Sequence, residues 1–359
     1  MSRWEIGIRS PREWLPFLAQ VLQVPREILE RAKAVQPVES APPMRSVADF
    51  LPEGDPLAPL GARTGRRIGA GQVGDLAQRV HGLRLADDLV YGKDLIGPAL
   101  RELQAAVKLY RDGTHTEEVG RELLGAIGEL AQIAGWVASD AGEHAEAERI
   151  YRLGMSAAQA AGDGVLSGNV AGSLAYQWSN TGRTADAVGL ARAALEDAGP
   201  DAPAKARALY LDRVAWAHTR AGQDRPAMTA LGKAAEALSE DSADIESPSY
   251  LYWMDAGELQ VMEARVFTEL RRPLRAVPLL TDVLRRYDAS HARELALYLS
   301  WLAVAYADAN EPEAAAGTAS RMLTLGQSGS ERTAERTRIV LERLRAYRDV
   351  PEVAELLAS

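Results

Sequence analysis

ELAQIAGWVASDAGEHAEAERIYRLGMSAAQAAGD, residues Glu129–Asp163, reads as two helices joined by a tight turn at Asp140–Glu143. Small or apolar residues recur at helical spacing: Leu130, Ala134 and Ala138 before the turn, then Ala147, Ile150, Tyr151 and Gly154 after it. Gly142 ends the first helix, where a residue free to take a positive φ is wanted.

The same register returns downstream. Gly142, Gly182 and Gly222 are spaced 40 residues apart. The second copy carries Leu174, Ala175, Trp178, Ala187, Ala191 and Ala194, and the third Val214, Ala215, His218, Ala227, Leu231 and Ala234. Two looser copies follow, one with Ala264, Phe267, Ala276 and Leu280 and Arg271 in the glycine's place. The other has Leu302, Ala303, Tyr306 and Ala315 with Asn310 there, and Asn is the next best residue for a left-handed cap. Helices in a pair approach closely only where Gly or Ala sits at the crossing, and the larger residue one turn on fills the gap beside it. The fold class expected is therefore all-α, a stack of helix pairs.

This pattern resembles the tetratricopeptide repeat over about Gly120–Leu325. It departs from that family in its period, near 40 rather than ~34 residues, and in lacking the closing proline in most copies. The resemblance implies an α-solenoid over residues 67–359 whose first helices line a concave groove. Projecting the register onto that groove selects Glu129, Gln132, Trp136 and Asp140, then Asn169, Tyr176 and Asn180, then Asp212, Trp216 and Arg220, and finally Glu258 and Arg265. Trp136, Tyr176 and Trp216 hold equivalent positions and form an aromatic row with amide and charged neighbours. Flat apolar area beside groups that both donate and accept suits an extended peptide or a small amphipathic ligand. Aromatics packed between neighbouring repeats, with nothing in the groove, fit the same register.

The chain has 359 residues, room for about two domains, and no cysteine, which excludes disulfides, thiolate metal sites and cysteine nucleophiles. The first residues contain no apolar run of signal-peptide type, and no stretch of about 20 apolar residues runs without charge. A cytoplasmic location without membrane contact is expected. The net charge is −9, yet residues 1–33 carry six Lys/Arg against four Asp/Glu, a slightly basic head on an acidic body.

In that head the string Trp4-Glu5-x-Gly7-x-Arg9-x-Pro11 is followed by Leu18-Ala19, Leu22 and Val24-Pro25. It resembles the second half of a Cro/cI-type helix-turn-helix domain, with Gln23 where glycine is usual. Met1 then falls inside the recognition helix and most base-reading positions of that motif are missing, either through a start assigned too far downstream or because this copy has lost its reader. The resemblance implies phosphate contacts from Ser2, Arg3 and Arg9, which give register without sequence choice, and DNA binding by the domain once completed upstream. A plain three-helix cap is the alternative.

Residues 34–66, rich in Pro, Gly and Ala, read as a linker without regular structure, with Val47, Phe50 and Leu51 able to dock it on the repeats. Gly69-Ala-Gly71-Gln-Val-Gly74 satisfies GxGxxG, but no strand precedes it, so it reads as the entry to a helix carrying Val73, Leu76, Val80 and Leu83. The stretch from Arg66 to Leu103 also resembles the segment that joins reader to repeats in actinobacterial regulators of this type. Ala99–Arg111 reads as a helix, Thr114-x-x-Glu117 as a capping box opening the long helix to Asp140, Ser239–Ser249 as a solvated acidic loop, and Glu331–Asp349 as a polar helix closing the solenoid's open end.

Five scattered histidines have no metal-ligand spacing, and no P-loop, GxSxG or recognisable carboxylate pair occurs. No enzymatic activity, cofactor or metal is expected. The reading is a transcriptional regulator, a homodimer whose repeat domain senses a peptide or small ligand. The alternative is an adaptor that binds a protein partner through the same groove and does not touch DNA.

Overall fold

The computed structural model describes residues 45–59, 65–89, 92–241, 246–286, 292–325 and 331–358. The partial helix-turn-helix motif, with Ser2, Arg3 and Arg9, lies outside the described residues. Among these residues the chain is all-helical, with fourteen α-helices: α1 Ala70–Leu89, α2 Gly92–Asp112, α3 Glu117–Asp140, α4 His144–Ala161, α5 Gly164–Asn180, α6 Thr184–Ala198, α7 Ala204–Arg220, α8 Asp224–Ser239, α9 Ala256–Glu269, α10 Pro273–Arg286, α11 Ala292–Asp308, α12 Pro312–Leu325, α13 Glu331–Leu344 and α14 Pro351–Ala358. From α3 to α12 they pack as five consecutive antiparallel pairs, and neighbouring pairs stack on one another.

The turn inside each pair follows one backbone rule. Gly142, Gly182 and Gly222 have φ of 87°, 88° and 71°, and Arg271 and Asn310, their counterparts in the last two pairs, have φ of 54° and 62°. All five copies therefore close in the same left-handed conformation, although only three have the residue that adopts it without strain. Side-chain caps begin α3, α5 and α9: Thr116 accepts from the Val119 amide, Asp163 from Leu166 and Asp255 from Glu258.

Small residues set the spacing within a pair. A Cβ on Gly135 would meet the Tyr151 ring at 2.6 Å, so α3 and α4 could not approach as they do with alanine there. Trp178, Tyr151, Tyr210 and Phe267 are among the largest fully buried side chains, each contributing about 1.5–3 kcal/mol from burial.

The segment before α1 is more ordered than its composition predicts. Val47–Phe50 forms a 3-10 turn capped by Ser46 and Asp49, and Val47 and Phe50 are buried. Phe50 packs on Trp178 of α5 with ring centroids 6.0 Å apart, and Arg152 of α4 donates to the Phe50 carbonyl. The expected capping box at Thr114 is not formed. The Thr114 amide donates to the Arg66 carbonyl at 3.2 Å and its carbonyl accepts from Ile68 at 2.8 Å, an isolated parallel bridge, so Thr116 caps α3 instead. The helix expected from Ala99 begins earlier, at Gly92, and runs through Pro98.

The C-terminal end departs furthest from a plain cap. Val340 and Leu344 of α13 join the core made with α11 and α12, while Arg332 and Arg336, one turn apart, face the concave side. Arg332 Nε lies 3.2 Å from Asp140 Oδ1, at the end of α3. α13 therefore reaches the first repeat.

Candidate functional site: an arginine-racked aromatic chamber

The first helix of every pair turns one face inward, and together with α1, α13 and the Tyr250–Trp253 segment these faces enclose a cavity of about 670 Å³. The aromatic row lies along it. Trp136 and Tyr176 are stacked with centroids 5.9 Å apart, Tyr176 and Trp216 are 6.2 Å apart, and Trp301 of α11 meets Trp216 edge-on at 5.8 Å. Trp136, Tyr176 and Trp216 each precede their turn glycine by six residues, so the repeat alone puts them in file. The fourth copy has Arg265 at that step, and the row passes from rings to a guanidinium.

Arginines cover the ring faces. Arg332 lies over Trp136 at 5.1 Å, Arg213 over Tyr176 at 4.7 Å, Arg265 over Trp216 at 4.6 Å and Arg336 over Trp301 at 3.4 Å, measured to the ring centroids. Arg265 also lies 5.4 Å from the centroids of both Tyr176 and Trp301. A desolvated cation over an indole face is worth up to ~2 kcal/mol. The row thus acts as a rack that holds five guanidiniums, with Arg220 over Trp216 at 5.9 Å.

Partial pairing accompanies the stacking. Arg213 is 3.2 Å from Asp212, Arg220 is 2.9 Å from Glu269, and Arg336 is 4.0 Å from Glu269 and donates to Ser300 Oγ at 3.0 Å. Arg265 donates to the Tyr176 hydroxyl at 2.6 Å. Burial raises the Tyr176 phenol, but Arg265, Arg332 and Arg213 outweigh it and bring it down to about 8. Burial, against the pull of Glu269 and with Arg265 and Arg220 adding repulsion, pushes Arg336 down to about 9. The Tyr176 shift reports a local excess of positive charge, whereas that of Arg336 comes first from burial.

An acidic pole faces this cluster. The Tyr298 hydroxyl donates to Glu258 at 2.7 Å. Burial pushes Glu258 up to about 7, opposed by that hydrogen bond and aided by Asp255 and Glu294, with Arg265 pulling it back. On the remaining wall Arg84 of α1 bonds Glu129 at 2.7 Å and lies 5.5 Å from the Tyr250 ring centroid, and the Tyr252 hydroxyl donates to Asp88 at 2.6 Å. Tyr250, Tyr252 and Trp253, just after the Ser239–Ser249 stretch read as a solvated acidic loop, therefore supply wall residues.

Of the residues projected onto the groove, Gln132, Trp136, Asp140, Asn169, Tyr176, Asn180, Trp216, Arg220, Glu258 and Arg265 line the cavity. Asp212 and Glu129 do not. Asp212 is buried in the pair with Arg213, and Glu129 turns to Arg84. The neighbour of Asp212 lines the cavity in its place, because the helix face facing inward is wider than one residue per turn. The aromatic faces are not bare, as a peptide groove would have them, and the Asn180 amide oxygen is already used by the Trp216 indole at 3.1 Å. Arg213 and Trp301 stand three residues before the row positions of their copies, a signal the spacing contained. Arg332 and Arg336 had none, because α13 lies outside the repeat.

Among the described residues no group of His, Asp and Glu could hold a metal ion, and no helix is long and apolar enough to cross a membrane. No protein-family model matches the chain, and no curated protein matches it significantly.

Proposed function

We propose that the chain is a ligand-responsive transcriptional regulator, in which a tetratricopeptide-like domain senses a peptide or small molecule and presents a helix-turn-helix head to DNA as a dimer. The observation that carries this reading is the chamber itself. Five consecutive helix pairs and α13 converge on one cavity that sets a few converging charged groups among aromatic and apolar side chains, at a size within the usual ligand-pocket range of about 300–1,000 Å³. The resemblance of residues 1–33 to a helix-turn-helix half supplies the DNA-binding part, and Arg45–Leu51, docked on α5, supplies the connection. A ligand that prefers one curvature of the stacked pairs shifts the population of that curvature and with it the spacing of two heads.

The test is fluorescence-anisotropy binding to the DNA upstream of its own gene across a salt series, for this chain and for a version extended upstream in frame. Specific binding by the extended form supports the regulator. If neither form binds even at low salt, where phosphate attraction is strongest, the regulator reading fails and an adaptor using the chamber for a protein partner replaces it.

A further inference from the structure

Arg265 stands at the centre of the rack and is the least compensated of its cations. Arg213, Arg220 and Arg332 each have a carboxylate within 3.2 Å, and Arg336 shares Glu269. Arg265 has the Tyr176 hydroxyl, and its buried Nε has no hydrogen-bond partner. Stacking uses the faces of a guanidinium and leaves its N–H donors, which lie in the plane, to point past the ring edges. A buried donor left unmatched costs about 1–3 kcal/mol, so the arrangement is one that gains on receiving an acceptor. The wall around it is apolar as well as cationic: Ile133, Leu209, Val261, Met262 and Leu297 line the same space with the rings. The cavity is far larger than a lone inorganic anion requires.

We infer that the chamber takes a small molecule with one anionic group, a carboxylate or a phosphate, joined to a flat or apolar body, the anion seated at Arg265 and Arg213 and the body against the apolar side chains beside the aromatic row. Glu258 at the other pole, bonded to Tyr298, offers a hydrogen-bonding partner for a hydroxyl or amine at the far end of the ligand. The lowered Tyr176 phenol agrees with a site short of negative charge. This deepens the reading of the chamber as a ligand site and is independent of whether the chain binds DNA.

The probes are anilinonaphthalene sulfonate, a flat aromatic anion, and N-phenylnaphthylamine, its counterpart without the anionic group, titrated into the full chain by fluorescence and calorimetry. One sulfonate probe is expected to bind per chain, at least about tenfold more tightly than the uncharged probe, the worth of one charged hydrogen bond. Arg265→Gln is expected to lose that preference while keeping its helical circular dichroism. Should the variant unfold, the comparison of the two probes on the parent protein decides alone. Benzoate and phenyl phosphate are expected to displace the probe and benzamide to leave it, and the stronger competitor identifies the anion as carboxylate or phosphate. Equal binding of both probes to the parent, or an unchanged preference in folded Arg265→Gln, overturns the inference. Promoter binding without probe selectivity would sink this inference and leave the regulator standing; the reverse result would do the opposite.

Discussion

Tyr176 and Trp178, two residues apart on α5, face opposite sides of the molecule. Tyr176 receives the Arg265 hydrogen bond inside the chamber at 2.6 Å, and Trp178 packs on Phe50 of the docked N-terminal segment, with its indole donating to Glu148 at 3.1 Å. One helix thus serves as a wall of the cavity and as the seat of the segment that precedes α1.

Phe50→Ala should release that segment without unfolding the repeats. Truncating a buried Phe costs about 3–5 kcal/mol where the whole fold depends on it, but a short peripheral turn can open locally instead. The expected result is faster hydrogen exchange at the Asp49 and Leu51 amides, which bond to Ser46 and Ala48, with global stability changed by less than ~1 kcal/mol. A loss of several kcal/mol in urea unfolding would show that the segment is part of the main core.

Asp140→Asn should destabilise the chain by about 2 kcal/mol, below the ~3–5 of a fully buried pair, because Arg332 is 27% exposed while Asp140 is 2%. Arg332→Gln should match it, and the double variant should cost little more than either single one. Additive losses in denaturant melts would mean that the two residues act separately.

Two titrations in the chamber predict opposite slopes of stability against pH. Tyr176 has its phenol depressed from 10 to about 8 in the fold, so its contribution is present above the unfolded value and is lost as pH falls through about 8. Between these values the parent should gain up to about 2 kcal/mol on Tyr176→Phe, and tyrosinate absorbance should show a transition near 8 that the variant lacks. Glu258 has a folded value raised to about 7, so its contribution is complete below the unfolded value of 4.5 and is lost as pH rises through 7. Glu258→Gln should therefore be more stable than the parent by about 2 kcal/mol near pH 8, and equal to it near pH 4. A flat difference across that range would remove the assignment.

At the turns, Gly182→Ala should cost ~1 kcal/mol through φ alone, since an added Cβ there meets nothing within 4 Å. Arg271→Gly should gain ~0.5 kcal/mol by relieving the same conformation. The loss of the pair with Asp308 would not offset it, because Arg271 is exposed and Asp308 keeps Arg343 at 2.8 Å. Thermal melts of the two variants, moving in opposite directions, are the check.

The stacked pairs were legible because a turn that needs positive φ and a crossing that needs a small residue both constrain single positions, and these recur at 40-residue steps. Trp136, Tyr176 and Trp216 followed from that register, as did Arg265. What Arg265 does was not legible: that guanidiniums cover the rings depends on which side chains meet across helices far apart in sequence. Asp212 was misplaced by one residue because the turn glycine fixes an angle about the helix only to within the width of a side chain. Arg332 and Arg336 lay beyond any periodic argument. Their i, i+4 spacing on a charged helix reads equally as a solvated face, and only the return of α13 to Asp140 gives it another meaning.

That return limits how the molecule can vary. Open arrays of stacked repeats gain or lose a unit at small cost, since each contacts only its neighbours. Here an added copy would carry Arg332 away from Asp140 and break the pair that joins α13 to the first repeat. The number of copies is therefore part of the specification, and a helix pair anywhere along the chain is held in place by both of its ends at once.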